Sequence, residues 1–344
     1  MISGKELAEK LGVSAATISM VFNNKPGISE ETRFRVIEAA RRYGYVYKPR
    51  GSQDSPFFNP RIICFVVFKK HGLVVGDTPF FTEVMEGILQ ACGDAGYQAK
   101  VAYHYADMDF RVQAERNEYR QCAGLILLGT EMNTDDLSQF LGINLPTVVL
   151  DAYFEEISAD YVLINNVQGA FLATKYLAQQ GHTSVGYLRS SIRISNFSER
   201  ANGYYNALRK HGIDTLHPHV IEISPQMEQG YEDMVRYLDS KPPLATAYFA
   251  DNDIIASAAV RGFARFGYRV PEDISVIGFD DMPFCQLMMP PLSTMRVPKH
   301  ILGSTAVKRL AEMLRGGAPE HMKISVATEL TQRCSVSRIV PENQ

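Results

Sequence analysis

From Arg61 onward the chain alternates short β-rich apolar runs with helical stretches, and that cadence constrains its fold more than any other feature. Residues 62–67, 100–105, 124–128 and 147–150 read as strands, with a helix over 80–96. The pattern resumes with helices over 169–180 and 199–211 and strands over 184–188, 244–249 and 275–278. Units of this kind build parallel sheets, so two doubly wound lobes are predicted. Several strands joining two such lobes make a hinged clamp whose ligand lies at the strands' carboxyl ends. No G-x-G-x-x-G follows the first strand and no G-x-x-x-x-G-K-[ST] occurs, so neither nucleotide-binding loop is indicated.

Residues 1–50 are of another kind. Ser3 is placed to cap a helix running through Leu11, with Leu7, Ala8 and Leu11 at helical spacing. Gly12-Val13 breaks it, and Ser14 then caps a second short helix over 15–22. Two short helices around a turn of about three residues have the spacing of a helix-turn-helix. Ser29 opens a third helix, which Arg41 and Arg42 close ahead of Gly44. This segment carries nine Lys and Arg against five Glu, or +4, so the chain's net charge of −3 leaves −7 on the remainder. A basic head on an acidic body points to a polyanion-binding module.

The length of 344 residues predicts two or three folded units. No apolar run approaches the roughly 18 residues that span a bilayer, and residues 1–6 lack an apolar signal-peptide core. A cytoplasmic chain with no membrane role is therefore expected. Cys64, Cys92, Cys122, Cys285 and Cys334 are odd in number and widely spaced, so neither a disulfide framework nor a zinc cage is expected. No cofactor and no metal are assigned.

The run from Leu11 to Arg33 through Leu-Gly-Val-Ser-Ala-Ala-Thr-Ile-Ser and Asn-Asn-Lys-Pro-Gly-Ile-Ser-Glu-Glu-Thr resembles the DNA-binding domain of the lactose-repressor (LacI/GalR) family. The body resembles the same family at Thr78-Pro79-Phe80-Phe81, Gly181-His182, Arg200-Ala201-Asn202-Gly203-Tyr204, Asn252-Asp253, 275–281 and 290–294. The resemblance implies an all-α helix-turn-helix head plus an α/β periplasmic-binding-protein-like body of two doubly wound parallel-sheet lobes. It implies a head over 1–46, a linker over 47–60, a first lobe over 61–163 with 291–324, and a second over 164–290 with 325–340. It further implies a homodimeric repressor of double-stranded operator DNA controlled by a small-molecule effector such as a sugar.

On that resemblance the helix over 15–22 enters the major groove. Ser14, Ala15, Ala16, Thr17, Ser19, Met20 and Asn23 face DNA, and Lys48 and Arg50 are placed to hold phosphates. The family usually has larger hydrogen-bonding residues at Ala15, Ala16 and Met20, often Arg at the last. Without donors there, base reading must be apolar, for instance against a thymine methyl. The linker Tyr47-Lys48-Pro49-Arg50-Gly51-Ser52 also departs from the family's Ala-Arg-Ser-Leu hinge and supplies no Leu wedge.

A sugar presents paired hydroxyls and apolar C–H faces, so its site needs carboxylates, a guanidinium and an aromatic wall. Asp280, Asn252, Arg200, Phe80 and Phe81 supply that set, with Asp151 and Arg193 as further candidates. Asn252 is equally placed to cap the helix that follows it, and either Phe to pack in the core. Arg189 and Arg193 would suit an anionic ligand such as a sugar phosphate. An α/β enzyme using Asp280 and Asp281 lacks any nucleophile beside a base, and a transport protein would not need residues 1–46. Two further alternatives are control by a protein partner or by a non-sugar metabolite. The chain's last residues, 338–344, form no heptad tail, so tetramers by that route are not expected. Met20→Arg should change the operator motif recovered by binding-site selection; recovery of an unchanged motif would remove Met20 from the reading face.

Overall fold

The computed structural model describes residues 4–22, 27–29, 32, 33, 35, 36, 39, 40, 43, 61–76, 79–215, 219–316 and 320–339. It separates into two units, Met1–Pro60 and Arg61–Gln344. Ser3, Asn23, Arg41, Arg42, Gly44 and the whole linker over 47–60, Lys48 and Arg50 included, lie outside the described residues.

In the first unit, helices span Gly4–Leu11 and Ala15–Phe22, and the described positions between 32 and 40 are helical. The Ser14 hydroxyl accepts from the Thr17 N–H at 3.0 Å, satisfying one of the donors orphaned at a helix start. Ser29 does the same for Thr32 at 3.2 Å. Leu7, Ala8, Ile18, Val21, Val36, Ala39 and Ala40 form the core. Two cations are turned inward on helix ends: Arg33 donates to the Val21 carbonyl at 3.0 Å and Arg35 to that of Leu11 at 3.2 Å.

The second unit holds two six-stranded sheets. The first comprises β1 (Ile62–Lys69), β2 (Gln98–Tyr105), β3 (Gly124–Leu128), β4 (Thr147–Leu150), β5 (Asp160–Ile164) and β11 (Lys323–Val326), ordered β11-β5-β4-β3-β1-β2 and parallel throughout. The second comprises β6 (Val185–Ser190), β7 (Val220–Ile223), β8 (Ala247–Ala250), β9 (Ser275–Asp280), β10 (Ser293–Arg296) and β12 (Glu329–Thr331), ordered β12-β10-β9-β8-β6-β7. Only the β10–β12 pair is antiparallel. Helices cover both faces, so every residue of β3, β4, β5 and β8 is buried, which is why most of these strands read as unbroken apolar runs.

The chain passes between the sheets three times, after β5, β10 and β11. The lobe boundaries expected from sequence need correction. Ser293–Arg296 pairs with β9, Ser293 opposite Ile277, so the second lobe extends through 296 rather than ending at 290. Strand β11 lies wholly in the first sheet and is not divided at 324, and β5 is not divided at 163. The short polar run Ser-Thr-Met-Arg gives no apolar signal of its own; its burial comes from its neighbours.

The helix Lys299–Leu314 closes the first lobe against the helix Pro79–Asp94. Their approach rests on two glycines: a Cβ at Gly303 would stand 2.2 Å from the Val84 carbonyl oxygen, and one at Gly87 2.3 Å from that of His300. Gly303→Ala should therefore destabilise the body by about 1–3 kcal/mol, the usual cost of overpacking. Urea denaturation reads this, and an unmoved midpoint would show that the helices have slack.

Candidate functional site

Strand ends from both sheets meet where the lobes face each other. Thr130 follows β3, Asp151 follows β4, Asp251-Asn252-Asp253 follows β8, and Asp280 closes β9. The start of the helix Pro79–Asp94 brings Phe80 and Phe81, and the start of the helix Ser195–Lys210 brings Asn196, Phe197 and Arg200. Apart from Asp251 and Asp253, these side chains, with Val74, Ile194, Ile254 and Met282, surround a cavity of about 40 Å³.

Arg200 is the hub. Its side chain is 4% exposed and its guanidinium carbon lies 3.8 Å from the centroid of the Phe279 ring. Nε donates to the Asn166 amide oxygen at 2.9 Å, one Nη donates to the Asp251 carbonyl, and the other reaches Asp280 Oδ1 at 3.2 Å. Asp280 and Asp151 both have positive φ, 111° and 64°, an uncommon conformation that turns each side chain off its strand end.

Asp151 joins the lobes. It accepts from the Thr130 hydroxyl at 2.6 Å within its own lobe and from the Asn196 amide at 2.9 Å across the gap. Burial pushes its carboxyl up to about 6, opposed by the Thr130 hydroxyl and Arg200. Burial also raises Asp280, against the pull of Arg200 and Lys299. Asp251 and Asp253 serve the frame. Asp251 accepts from the Tyr187 hydroxyl and from the Ser190 N–H at 2.7 Å, and burial raises it to about 6. Asp253 accepts from the Met282 N–H at 2.8 Å and the Thr294 hydroxyl at 2.6 Å, and burial raises it to about 7.

Of the sequence candidates, Phe80, Phe81, Asp151, Arg200, Asn252 and Asp280 come together around one cavity. Asn252 combines both of its readings: its amide oxygen caps the helix Asp253–Arg265, accepting from Ile255 at 2.9 Å, while the residue lines the cavity. The two Phe rings likewise pack edge to face at 5.0 Å and line it. Arg193 does not line this cavity. Its side chain is 64% exposed and pairs at 3.3 Å with Glu222, which also takes Arg189, so both cations are held at the surface by one carboxylate. Asn196 and Thr130 were missed. Asn196 stands four residues before Arg200 and so on the same helix face, a signal legible in the sequence.

On the head, Ala15 and Ala16 are exposed, and Thr17, Ser19 and Met20 are half-buried. The Ser14 hydroxyl is engaged by Thr17. Ile18 and Val21 face the core.

A helix-turn-helix unit carried on a two-lobed α/β body, with charges buried where the lobes meet, defines a DNA-binding regulator with a ligand-sensing body. The comparisons agree. Residues 5–47 match bacterial regulatory proteins of the lacI family, and residues 174–336 match a periplasmic binding protein-like domain. The chain is 30% identical to the HTH-type transcriptional repressor PurR of Mannheimia succiniciproducens, over 98% of this chain and all of that one. It is 33% identical to the ribose operon repressor of Haemophilus influenzae, over 92% of each. A solved complex of the transcriptional regulator CelR with cellobiose matches with a TM-score of 0.72 at 25% identity, covering 97% of this chain and all of that one. The protein belongs to the LacI family and is a DNA-binding transcriptional repressor. These relatives are transcriptional regulators.

The raised Asp carboxyls set a pH dependence. The folded protein keeps protons on Asp151, Asp251 and Asp253 that the unfolded chain has released above about pH 4. Their contribution to stability is thus present at low pH and lost as pH rises, through about 6 for Asp151 and about 7 for Asp253. Between about pH 4.5 and about pH 7.5, wild type should lose on the order of 2 kcal/mol relative to Asp151→Asn, as read by urea unfolding. A pH-independent difference would show that Asp151 titrates normally.

Proposed function

We propose that the effector is a small neutral polyhydroxylated molecule, a free sugar or a close derivative, held between the lobes by Asp151, Asp280 and Arg200 against Phe80 and Phe81. The observation that carries this is the convergence of two carboxylates and one guanidinium on a cavity with an aromatic wall. Carboxylates accept hydroxyl hydrogens in pairs, a guanidinium donates to ring and hydroxyl oxygens, and aromatic faces cover C–H. Phosphorylated sugars fit less well, because Arg189 and Arg193 are engaged by Glu222 and the cavity's own charges are mostly acidic. Some of the similar proteins support a sugar: one is named a ribose operon repressor, and among the solved structures one holds cellobiose and another, from Enterococcus faecium, ribose, whereas the repressor PurR carries no sugar in its name.

Small-ligand pockets usually run to roughly 300–1,000 Å³, so at about 40 Å³ the lobes must part to admit the effector. The Asp151–Asn196 bond crosses the gap and breaks when they part. Effector binding then biases lobe angle, and with it operator affinity. The repressor acts in the cytoplasm as a homodimer on a two-fold operator, as in the solved lac repressor dimer bound to operator. Leu287 at 79% and Met289 at 94% exposure offer apolar surface for a second copy to cover.

A thermal-shift screen of the full chain against ribose, cellobiose, nucleosides and sugar phosphates tests the effector class. A neutral sugar at a hundredfold excess over Kd should add about 2.7 kcal/mol. Asp280→Asn should abolish that shift while operator binding survives. This variant is preferable to Arg200→Ala, whose loss would strand Asn166 and Asp280 in the core. A shift with sugar phosphates alone would overturn the neutral assignment, and no shift at all would favour control by a protein partner.

A further inference from the structure

The segment 70–76 connects β1 to the helix bearing Phe80 and Phe81 without helix or strand of its own. Its amides converge on a single carboxylate. Glu131 Oε2 accepts from the N–H groups of Lys70, His71 and Gly72 at 2.9, 3.1 and 2.9 Å, and Oε1 from those of Val74 and Val75 at 2.9 and 2.8 Å. The remaining amide, that of Leu73, donates to the His71 ring at 3.1 Å. Gly72, at φ 66°, supplies the left-handed step that lets successive N–H groups point inward, the geometry of an anion-binding nest. Burial alone would raise the Glu131 carboxyl, but the backbone donors outweigh it and hold it below its ordinary value.

The same short stretch of chain serves the crevice directly. Thr130 holds Asp151, and Asp136 both completes the cap of the helix Thr134–Leu141 and pairs with Lys70 at 2.9 Å. At the far end of the nest Val75 is buried in the core and Val74 lines the inter-lobe cavity. A surface loop of this length would ordinarily be free to move; here one charged acceptor fixes it at five points.

We propose that Glu131 is a positioning residue for the effector crevice: its carboxylate fills the nest of residues 70–75 as an internal anion, and so holds Val74 as an apolar lid above Asp151 and Arg200. The assignment rests on the crevice being the effector site. It makes effector fit depend on a residue that need not touch the effector.

Hydrogen–deuterium exchange on the full chain tests this without any ligand. In Glu131→Gln, amides 70–75 should exchange roughly tenfold faster or more, since each donor loses a charged acceptor. Adding sodium formate to Glu131→Gly should restore their protection, which a purely packing role for the side chain would not predict. Val74→Ala keeps the nest intact, so amides 70–75 should stay protected while exchange rises at 151–153 and 194–198, where the lid is thinned. Wild-type protection of 70–75 in Glu131→Gln, or no formate rescue, would overturn the internal-anion role. Unchanged exchange at 151–153 and 194–198 in Val74→Ala would overturn the lid, and this variant still decides should both Glu131 variants fail to fold. If the sugar panel gives no thermal shift, the exchange data still read the loop, so the two proposals fail separately.

Discussion

A guanidinium buried among strand ends is costly unless every donor is matched, and the second lobe is arranged around meeting that demand for Arg200. Asn166 comes from the helix after β5, the Asp251 carbonyl from the end of β8, Asp280 from the end of β9, and the Phe279 ring lies against the guanidinium face. Together these contacts fix two strand ends and one helix start relative to one side chain. The first lobe contributes through Asp151, whose raised carboxyl feels Arg200 and Asp280 from across the gap. The crevice is therefore preorganised by the same interactions that hold the lobe together.

What was legible in the sequence was local. The helix over 15–22 was read with its observed bounds because its signals, Ser14 as cap and Gly12 as breaker, lie within a few residues. Strands β3 and β4 were read because burial on both faces leaves unbroken apolar runs. Strand β5 was not, since it begins on Asp160. That carboxylate is tolerated in a buried strand because distant groups bond to it: Arg309, 149 residues away, donates at 2.6 Å, the Met322 N–H donates at 3.0 Å and the His321 ring lies at 3.0 Å. β10 failed for a related reason: its polar residues are buried by neighbours assigned to it only in three dimensions.

The site divides along the same line. Asp151 and Asp280 could be read because each follows an evident strand, and Arg200 because the family pattern marks it. Arg193 could not be excluded from sequence, because the Glu222 that draws it away belongs to the neighbouring strand β7. The role of Glu131 was equally hidden, since its partners are backbone amides about sixty residues earlier and carry no side-chain signature. Long-range polar pairing is what single-sequence reading misses, and these corrections and omissions are instances of it.

The closed crevice also bears on timing. With the lobes bridged from Asp151 to Asn196, the cavity of about 40 Å³ is too small for a sugar-sized ligand, so an effector bound at the proposed site would wait for the lobes to part. Association is then paced by the frequency of opening rather than by diffusion, and apparent affinity is lowered by the fraction of molecules open at any moment. A change that weakens the bridge without touching the ligand would quicken the response and sharpen sensitivity together. The dwell time of the hydrogen bonds between the lobes would thus become a setting for how fast a gene answers its signal.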